Sequence, residues 1–245
     1  MSKTVKRQRK KDYRREKLEA EHRAAKGRRR TRLIMSLGLL SALAGAAAVL
    51  LIASRPSAAC PKITRRSGDT APVSRPPAMC IDTDKTYTAR IRTSLGPIEV
   101  RLADDLQPKT VNSFVFLARK GFYDGLGFHR VVKDFAVQGG DPKGDGSGGP
   151  GYRVTESPRR DTRYPKGAVA MAKAGADPPG TSGSQFFLVP GDGAAGLPPE
   201  FAVLGRVISG DEVMAKIQAI PTGGPGEGSK PTEPITIVRI DIRES

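Results

Sequence analysis

The chain has 245 residues, and its 41 Lys and Arg against 25 Asp and Glu give a formal net charge of +16. This length allows one or two domains. Residues 1–32 contain 15 of the basic and 4 of the acidic residues, so the rest of the chain carries only +5. A nucleic-acid-binding role of the folded part therefore loses its main support, and we do not expect nucleic acid as its partner.

The N-terminal part of the sequence indicates a membrane protein. Residues 33–53 form a stretch of 21 residues without a charge, and a helix of this length spans roughly 30 Å, the thickness of a bilayer core. The basic residues before this transmembrane helix predict that residues 1–32 are a cytoplasmic tail and that the chain after it is extracytoplasmic. The tail can also contact anionic lipid. A buried soluble helix is less favoured, because the stretch has no polar face.

A cleaved signal peptide is the alternative to an uncleaved anchor. The small residues 57–59 precede Cys60 as a cleavage site requires. The long leading region and the intervening Arg55 and Pro56 argue against cleavage. We therefore expect a single-pass membrane protein, with secretion after cleavage near Cys60 as the other interpretation.

The sequence of residues 54–85 is typical of a linker. It contains five prolines and little hydrophobic periodicity, which favours an extended chain. Cys60 and Cys80 lie in it, and a disulfide between them would contribute roughly 3 kcal/mol by restricting the unfolded state. An intermolecular bridge and two free thiols are the alternatives. A folded domain is predicted over residues 86–245.

Short strand patterns dominate this domain. Residues 86–94 alternate, and residues 97–102 follow a Leu-Gly-Pro turn, which predicts a hairpin. Further strands are predicted at 127–132, 135–140, 167–174, 184–190, 201–208 and 234–242.

Two helices are predicted between these strands. Pro108 opens the first helix and Gly121 ends it, whereas the second covers EVMAKIQAI and ends at Pro221. Many short strands with two helices predict a mostly β fold, in the form of a closed antiparallel barrel.

Most sequence motifs for catalysis, cofactor binding or metal binding are absent or incomplete in this sequence. The glycine-rich loop, residues 140–151, contains G-x-G-x-x-G, but strand-like residues follow it instead of the helix that a dinucleotide site needs. The cysteines have no zinc-like spacing, and the predicted domain has a single histidine, His129, so no Ser-His-Asp set is available. We predict no metal site and expect His129 to be structural.

Arg130 is the remaining candidate, within FHRVVKDFAVQGGD at residues 128–141. Strand alternation puts Phe128 and Arg130 on one face. An arginine stays protonated and has no acceptor, so it can only donate hydrogen bonds and charge. Gln138 lies close enough in sequence to hold its guanidinium. The residues alone fit a structural arginine and a binding arginine equally well.

The stretch 128–141 resembles the signature of the cyclophilins, the cyclophilin-type peptidyl-prolyl cis–trans isomerases. Further matching pieces follow in the family's order and spacing, at residues 148–152, 170–172, 183–187 and 204–207. The resemblance covers residues 86–243 and implies an eight-stranded antiparallel β-barrel closed by two α-helices. It also implies isomerisation of X-Pro bonds in unfolded or flexible proline-containing polypeptides. In a bacterial, membrane-anchored protein the implied role is the folding of extracytoplasmic proteins.

The resemblance implies a role for a set of residues along one cleft. Arg130 would be the catalytic residue. The implied substrate-binding residues are Phe135, Phe187 and Leu197 in the proline pocket, Gln138 and Gln185 as polar contacts to the substrate backbone, and Ala172 on the strand edge that binds the residues before proline.

The sequence departs from the family pattern at several of these positions. Ala136 replaces a common methionine and is expected to widen the pocket, and Phe201 replaces the pocket histidine as an aromatic filler. Lys173 replaces a common asparagine and is expected to change the charge beside the cleft. The chain has no tryptophan, and Ala195 and Gly196 occupy that region, which puts high affinity for cyclosporin in doubt.

Isomerisation breaks no covalent bond, so we expect no cofactor. Two rival interpretations remain at the level of sequence. The domain could bind proline-containing segments without accelerating their isomerisation. Alternatively, the basic tail could be the functional part, as an RNA or lipid binder.

Overall fold

The structure is a computed structural model that describes residues 64–223 and 230–245. The predicted cytoplasmic tail, the predicted transmembrane helix and Cys60 lie outside these residues. Among the described residues, none of the helices combines the length and the apolar character needed to cross a bilayer.

The described residues form short strands and two α-helices in close agreement with the alternating and helical patterns of the sequence. A short 3₁₀ helix, Asp192–Ala194, precedes the ninth strand. The elements in chain order are β1 (Tyr87–Thr93), β2 (Gly96–Leu102), α1 (Pro108–Lys120), β3 (Phe128–Val132), β4 (Ala136–Gly139), β5 (Val154–Thr155), β6 (Ala168–Met171), β7 (Thr181–Ser182), β8 (Phe186–Leu188), β9 (Val203–Ser209), α2 (Asp211–Ala219) and β10 (Ile237–Glu244).

Eight of these strands form one antiparallel sheet in the order β10-β1-β2-β9-β6-β8-β4-β3, and β5 pairs separately with β7. The two edge strands approach each other where an isolated bridge joins Gly127 to Thr236 and Phe128 N donates to Ile235 O at 2.9 Å. The sheet is therefore a curled half-barrel. The predicted strand number, antiparallel pairing and two helices are present, but the ladders of the described strands do not form a fully closed barrel.

The main hydrophobic core is formed by buried residues of the eight-stranded sheet and of both helices. The predicted apolar face of α1 is buried, with Val111, Phe114, Val115 and Ala118 at most 2% exposed. The helix ends at Gly121, whose φ of 86° is the left-handed conformation that glycine adopts without strain. This core fixes the sheet, so that residues on its outer face have a rigid support.

Residues 64–85, which we call the N-terminal belt, contain no helix or strand but lie against the domain. At its start, Arg65 Nη2 contacts both carboxylate oxygens of Asp124 at 2.7 and 2.8 Å. At its end, Asn112 Oδ1 on α1 accepts hydrogen bonds from Cys80 N and Ile81 N at 2.7 and 3.2 Å. Ile81 is 7% exposed and belongs to the hydrophobic core. The part of the predicted linker that the structure describes is therefore packed on the domain.

Candidate active site

The site is built on a row of residues that crosses four neighbouring strands. Arg130 on β3 pairs with Gln138 on β4, Gln138 pairs with Phe187 on β8, and Phe187 pairs with Ala170 on β6. Directly paired residues project to the same face of a sheet. Because Val137, next to Gln138, is fully buried in the core, the row lies on the opposite, outer face.

A cavity of about 280 Å³ lies beside this row, and it brings together nine of the ten site residues that the resemblance implied. The tenth, Gln185, lines a neighbouring cavity of about 150 Å³ that shares Gln138, Ala172 and Lys173 with the first. The nine residues of the larger cavity are Arg130, Phe135, Ala136, Gln138, Ala172, Lys173, Phe187, Leu197 and Phe201.

One end of the larger cavity is apolar. The rings of Phe187 and Phe201 meet edge to face, with centroids 5.5 Å apart and an interplanar angle of 90°. Phe135 and Leu197 are partly buried against the same cluster, whereas Ala136 is 1% exposed and contributes only a methyl group. A small apolar ring, such as that of proline, is the kind of group that this end accommodates.

Phe201 is held in place by Tyr164, a residue that sequence reasoning missed. The Tyr164 hydroxyl donates to Phe201 O at 2.7 Å and accepts from Phe201 N at 3.0 Å. Their rings also pack edge to face at 5.9 Å. Burial raises the pKa of Tyr164, and the hydrogen bond to Phe201 partly opposes this. A lone tyrosine within the polar residues 155–166 was the available signal in the sequence.

A directed chain of hydrogen bonds orients Arg130. Gln185 Nε2 donates to Gly146 O at 2.9 Å and to Gly148 O at 2.8 Å. Since carbonyls only accept, this leaves Gln185 Oε1 to accept from Gln138 Nε2 at 2.9 Å. Gln138 Oε1 then accepts from Arg130 Nη1 at 3.3 Å. The loop carbonyls therefore define the orientation of both amide groups, and the second amide faces the guanidinium.

The guanidinium of Arg130 also lies against an aromatic ring. Its Cζ is 5.7 Å from the centroid of the Phe135 ring, a distance at which a cation and a ring attract each other. Within the described contacts, Gln138 engages one of the five N–H donors that a guanidinium carries. Arg130 is thus a positioned donor at the edge of an apolar cavity.

His129 lies outside both cavities. Its two ring nitrogens are buried and have no hydrogen-bond partner among the described residues. Burial lowers the pKa of His129 below its usual value, and the carboxylate of Asp141 partly opposes this shift. The histidine is therefore neutral near pH 7 and is not placed to exchange protons with a ligand in the cleft.

The charge of Lys173 is compensated within the protein. Its side chain is 7% exposed, and its Nζ lies 3.2 Å from Glu200 Oε2 and donates to Asp177 O at 3.2 Å. Arg153, which lines the smaller cavity, pairs with Asp177 at 3.3 Å. Lys173 therefore adds less net charge to the cleft than its sequence position suggested. Its pairing with Glu200 could not be read from sequence patterns.

Comparison with known proteins decides the family. A family model described as "Cyclophilin type peptidyl-prolyl cis-trans isomerase/CLD" matches residues 88–242. The chain belongs to the cyclophilin-type peptidyl-prolyl cis–trans isomerases. Its solved relatives include a cyclophilin of Cryptosporidium parvum, with a TM-score of 0.59 and 31% identity, over 64% of this chain and 98% of that one.

Several bacterial isomerases are similar to this cyclophilin in sequence. The probable peptidyl-prolyl cis–trans isomerase B of Mycobacterium tuberculosis is 37% identical over 186 residues, which cover 69% of this chain and 59% of the relative. A peptidyl-prolyl cis–trans isomerase of Helicobacter pylori is 42% identical over 137 residues, or 55% of this chain and 82% of the relative. This cyclophilin thus spans about three fifths of the mycobacterial isomerase B.

Proposed function

We propose that this cyclophilin accelerates cis–trans isomerisation of X-Pro peptide bonds. The observation that carries the proposal is Arg130, oriented by Gln138 at the edge of an apolar cavity. The names of its relatives support the same activity. A second structure of the Cryptosporidium parvum cyclophilin was determined in the presence of the dipeptide Ala-Pro, which favours proline-containing peptides as substrates here.

The reaction requires the stabilisation of a twisted peptide bond. Rotation is opposed by about 18–20 kcal/mol, because the nitrogen shares its lone pair with the carbonyl. The two isomers of an X-Pro bond differ by only about 0.5–1 kcal/mol, so both are populated. Catalysis needs only that the twisted state binds better than either planar state.

The cleft offers a group for each part of this task. In the twisted state the proline nitrogen becomes pyramidal and regains a lone pair, to which the Arg130 guanidinium can donate. The apolar end at Phe187 and Phe201 holds the proline ring, while Gln138 and Gln185 bind the neighbouring backbone. One side of the bond then rotates relative to the other, and no proton is transferred.

An isomerisation assay with matched variants of the full-length protein tests this proposal. Arg130→Ala is expected to lower kcat/KM for an X-Pro peptide at least about tenfold, near 1.4 kcal/mol. Arg206→Ala is the control, because Arg206 is exposed on β9 and lines neither cavity. Unchanged kcat/KM in Arg130→Ala would remove Arg130 from the mechanism. Binding of the peptide without acceleration by the wild type would instead favour a binding module.

We further propose that this is a bacterial protein anchored in the membrane by residues 33–53, with residues 1–32 in the cytoplasm. The cyclophilin domain, residues 86–245, then lies outside the cytoplasm and assists the folding of extracytoplasmic proteins. The uncharged stretch and the basic residues before it support this proposal. Protease added to intact spheroplasts is expected to digest the domain and spare the tail. Protection of the domain would contradict the orientation, and recovery of the domain without a membrane fraction would favour cleavage near Cys60.

A further inference from the structure

The N-terminal belt meets the glycine-rich loop at one point beside the cleft. Val73 N donates to Pro150 O at 2.7 Å. The next residue, Gly151, has a φ of +91°, and a Cβ at this position would lie 2.8 Å from Val73 O and 3.0 Å from Pro72 Cβ. The close approach of the two backbones therefore depends on a residue without a side chain.

Val73 lies between two anchored ends of the belt. Arg65 binds Asp124 on one side of it, and Asn112 on α1 binds Ile81 N on the other. These contacts tie the belt to the buried core. The belt is therefore a fixed support for Pro150.

The glycine-rich loop needs such a support. Six of its twelve residues are glycine, and glycine loses more conformational freedom on ordering than any other residue. Asp141 holds the start of the loop by accepting hydrogen bonds from Lys143 N and Asp145 N at 2.8 and 3.1 Å. The end of the loop is held by the belt and, one residue later, by Tyr152, whose hydroxyl lies 2.9 Å from Ser113 Oγ.

The middle of the same loop orients the site. The carbonyls of Gly146 and Gly148 bind Gln185, and the hydrogen-bond chain then runs through Gln138 to Arg130. If the end of the loop moves, these carbonyls no longer define the orientation of the two amides. Gln138 can then present its NH₂ group to the guanidinium, and a donor facing a donor displaces it.

We propose that the N-terminal belt is a positioning element for the catalytic arginine and that Val73 is its positioning residue, acting through Pro150 and the loop. The proposal rests on the proposed function, since it assigns a cause to the orientation of Arg130. It predicts a loss of turnover when the bond between Val73 and Pro150 is removed, although this bond touches neither cavity.

The test uses full-length protein in detergent and one pair of substitutions at residue 73. Val73→Pro removes the N–H donor, whereas Val73→Ala retains it and shortens only the side chain. Val73→Pro is expected to lower kcat/KM about three- to tenfold, mainly through kcat, within the range of couplings along such networks. Val73→Ala is expected to stay within about twofold of the wild type.

Two further variants separate positioning from loss of stability. Ile91→Val removes one methyl group from the core on β1, outside the belt and the loop, and is expected to lower Tm while changing kcat/KM by less than about twofold. Gly151→Ala forces the belt and loop backbones apart and is expected to reproduce the Val73→Pro effect. Gly151→Ala takes the place of Val73→Pro if the latter melts below the assay temperature.

A double-mutant cycle decides whether the effect passes through Arg130. In the Arg130→Ala background, Val73→Pro is expected to lower kcat/KM by a clearly smaller factor than in the wild-type background, because Arg130 is gone and only the contacts of Gln138 and Gln185 with the substrate remain to be lost. An equal loss in both backgrounds would overturn the proposal, as would wild-type kcat/KM in both Val73→Pro and Gly151→Ala. Failure of the proposed function would be seen separately, as an Arg130→Ala variant with wild-type activity.

Discussion

Phe135 contributes to the cavity in two ways that substitutions can separate. Its ring lies 5.7 Å from Arg130 Cζ, and its side chain is a partly buried wall beside Phe187 and Leu197. A cation–π contact at such a site is worth about 0.5–1 kcal/mol. The apolar wall acts instead by its area, at about 25 cal/mol per Å² removed from water.

Phe135→Leu retains an apolar wall but removes the aromatic face. We expect kcat/KM to fall about two- to fivefold, which corresponds to the cation–π energy. Phe135→Ala removes both contributions. If the proline ring then loses about 50 Å² of apolar contact, or about 1.25 kcal/mol, kcat/KM falls by a further factor of about eight, mainly through KM.

A protease-coupled isomerisation assay with an Ala-Pro peptide, at several substrate concentrations, separates kcat from KM for both variants. Melting curves check that each variant is folded at the assay temperature. Equal losses in Phe135→Leu and Phe135→Ala would refute the division between ring face and wall. Equal binding of peptides with and without proline, by the wild type, would reject the assignment of the pocket itself.

Three further results are expected. The isomerisation rate is nearly flat from pH 6 to 8, since Arg130 stays protonated, and a bell-shaped profile there would require an acid–base group. The free energy of unfolding falls as the pH drops below about 6.5, because burial lowers the pKa of His129 and the unfolded state then binds more protons than the folded state. Asp141, Asp145 and Arg130 also face this ring. Urea unfolding at pH 5 and 7 should show a weaker dependence of stability on pH for His129→Asn than for the wild type. Tyr164→Phe raises KM about two- to fivefold with little change in kcat, because the hydroxyl bonds that hold the Phe201 backbone are lost; peptide titration with unchanged affinity would contradict that role.

The elements with strong local patterns were predictable from the sequence. The helix from Pro108 to its stop at Gly121 was confirmed, because a proline at the first turn and a left-handed glycine after the last act within a few residues. The hairpin of β1 and β2 was confirmed for a similar reason: its buried residues alternate along both strands. The two-residue ladder of β5 and β7 is too short to produce a periodic pattern.

Features that depend on distant partners were not predictable. Residues 64–85 look like a linker because they are rich in proline, and their docking depends on contacts with residues far along the chain, such as Asn112, Asp124 and Pro150. The curled half-barrel, instead of a fully closed one, depends on how far the ladders of β3 and β10 extend.

The residues of the candidate site were predictable from the sequence, but their arrangement in space was not. Strand alternation indicated the face of Arg130, and the resemblance implied the other residues, whose roles remain predictions. Neither indicated that β8 lies beside β4 and so extends the row to Phe187. The direction of the chain through Gln185 depends on two loop carbonyls, at Gly146 and Gly148, which have no side chains to mark them in the sequence.

The internal pairing of Lys173 with Glu200 and of Arg153 with Asp177 has a consequence for the way in which polypeptides approach the cleft. Two cations beside the cleft are compensated, so they add little to the positive field of Arg130, whose described hydrogen-bond partner is the neutral Gln138. Encounter rates would then depend on ionic strength and on the charge of the polypeptide as expected for one cation at the cleft and not for three; a steep salt dependence of kcat/KM would contradict this. Selection among polypeptides would thus occur after contact, through the fit of the proline ring.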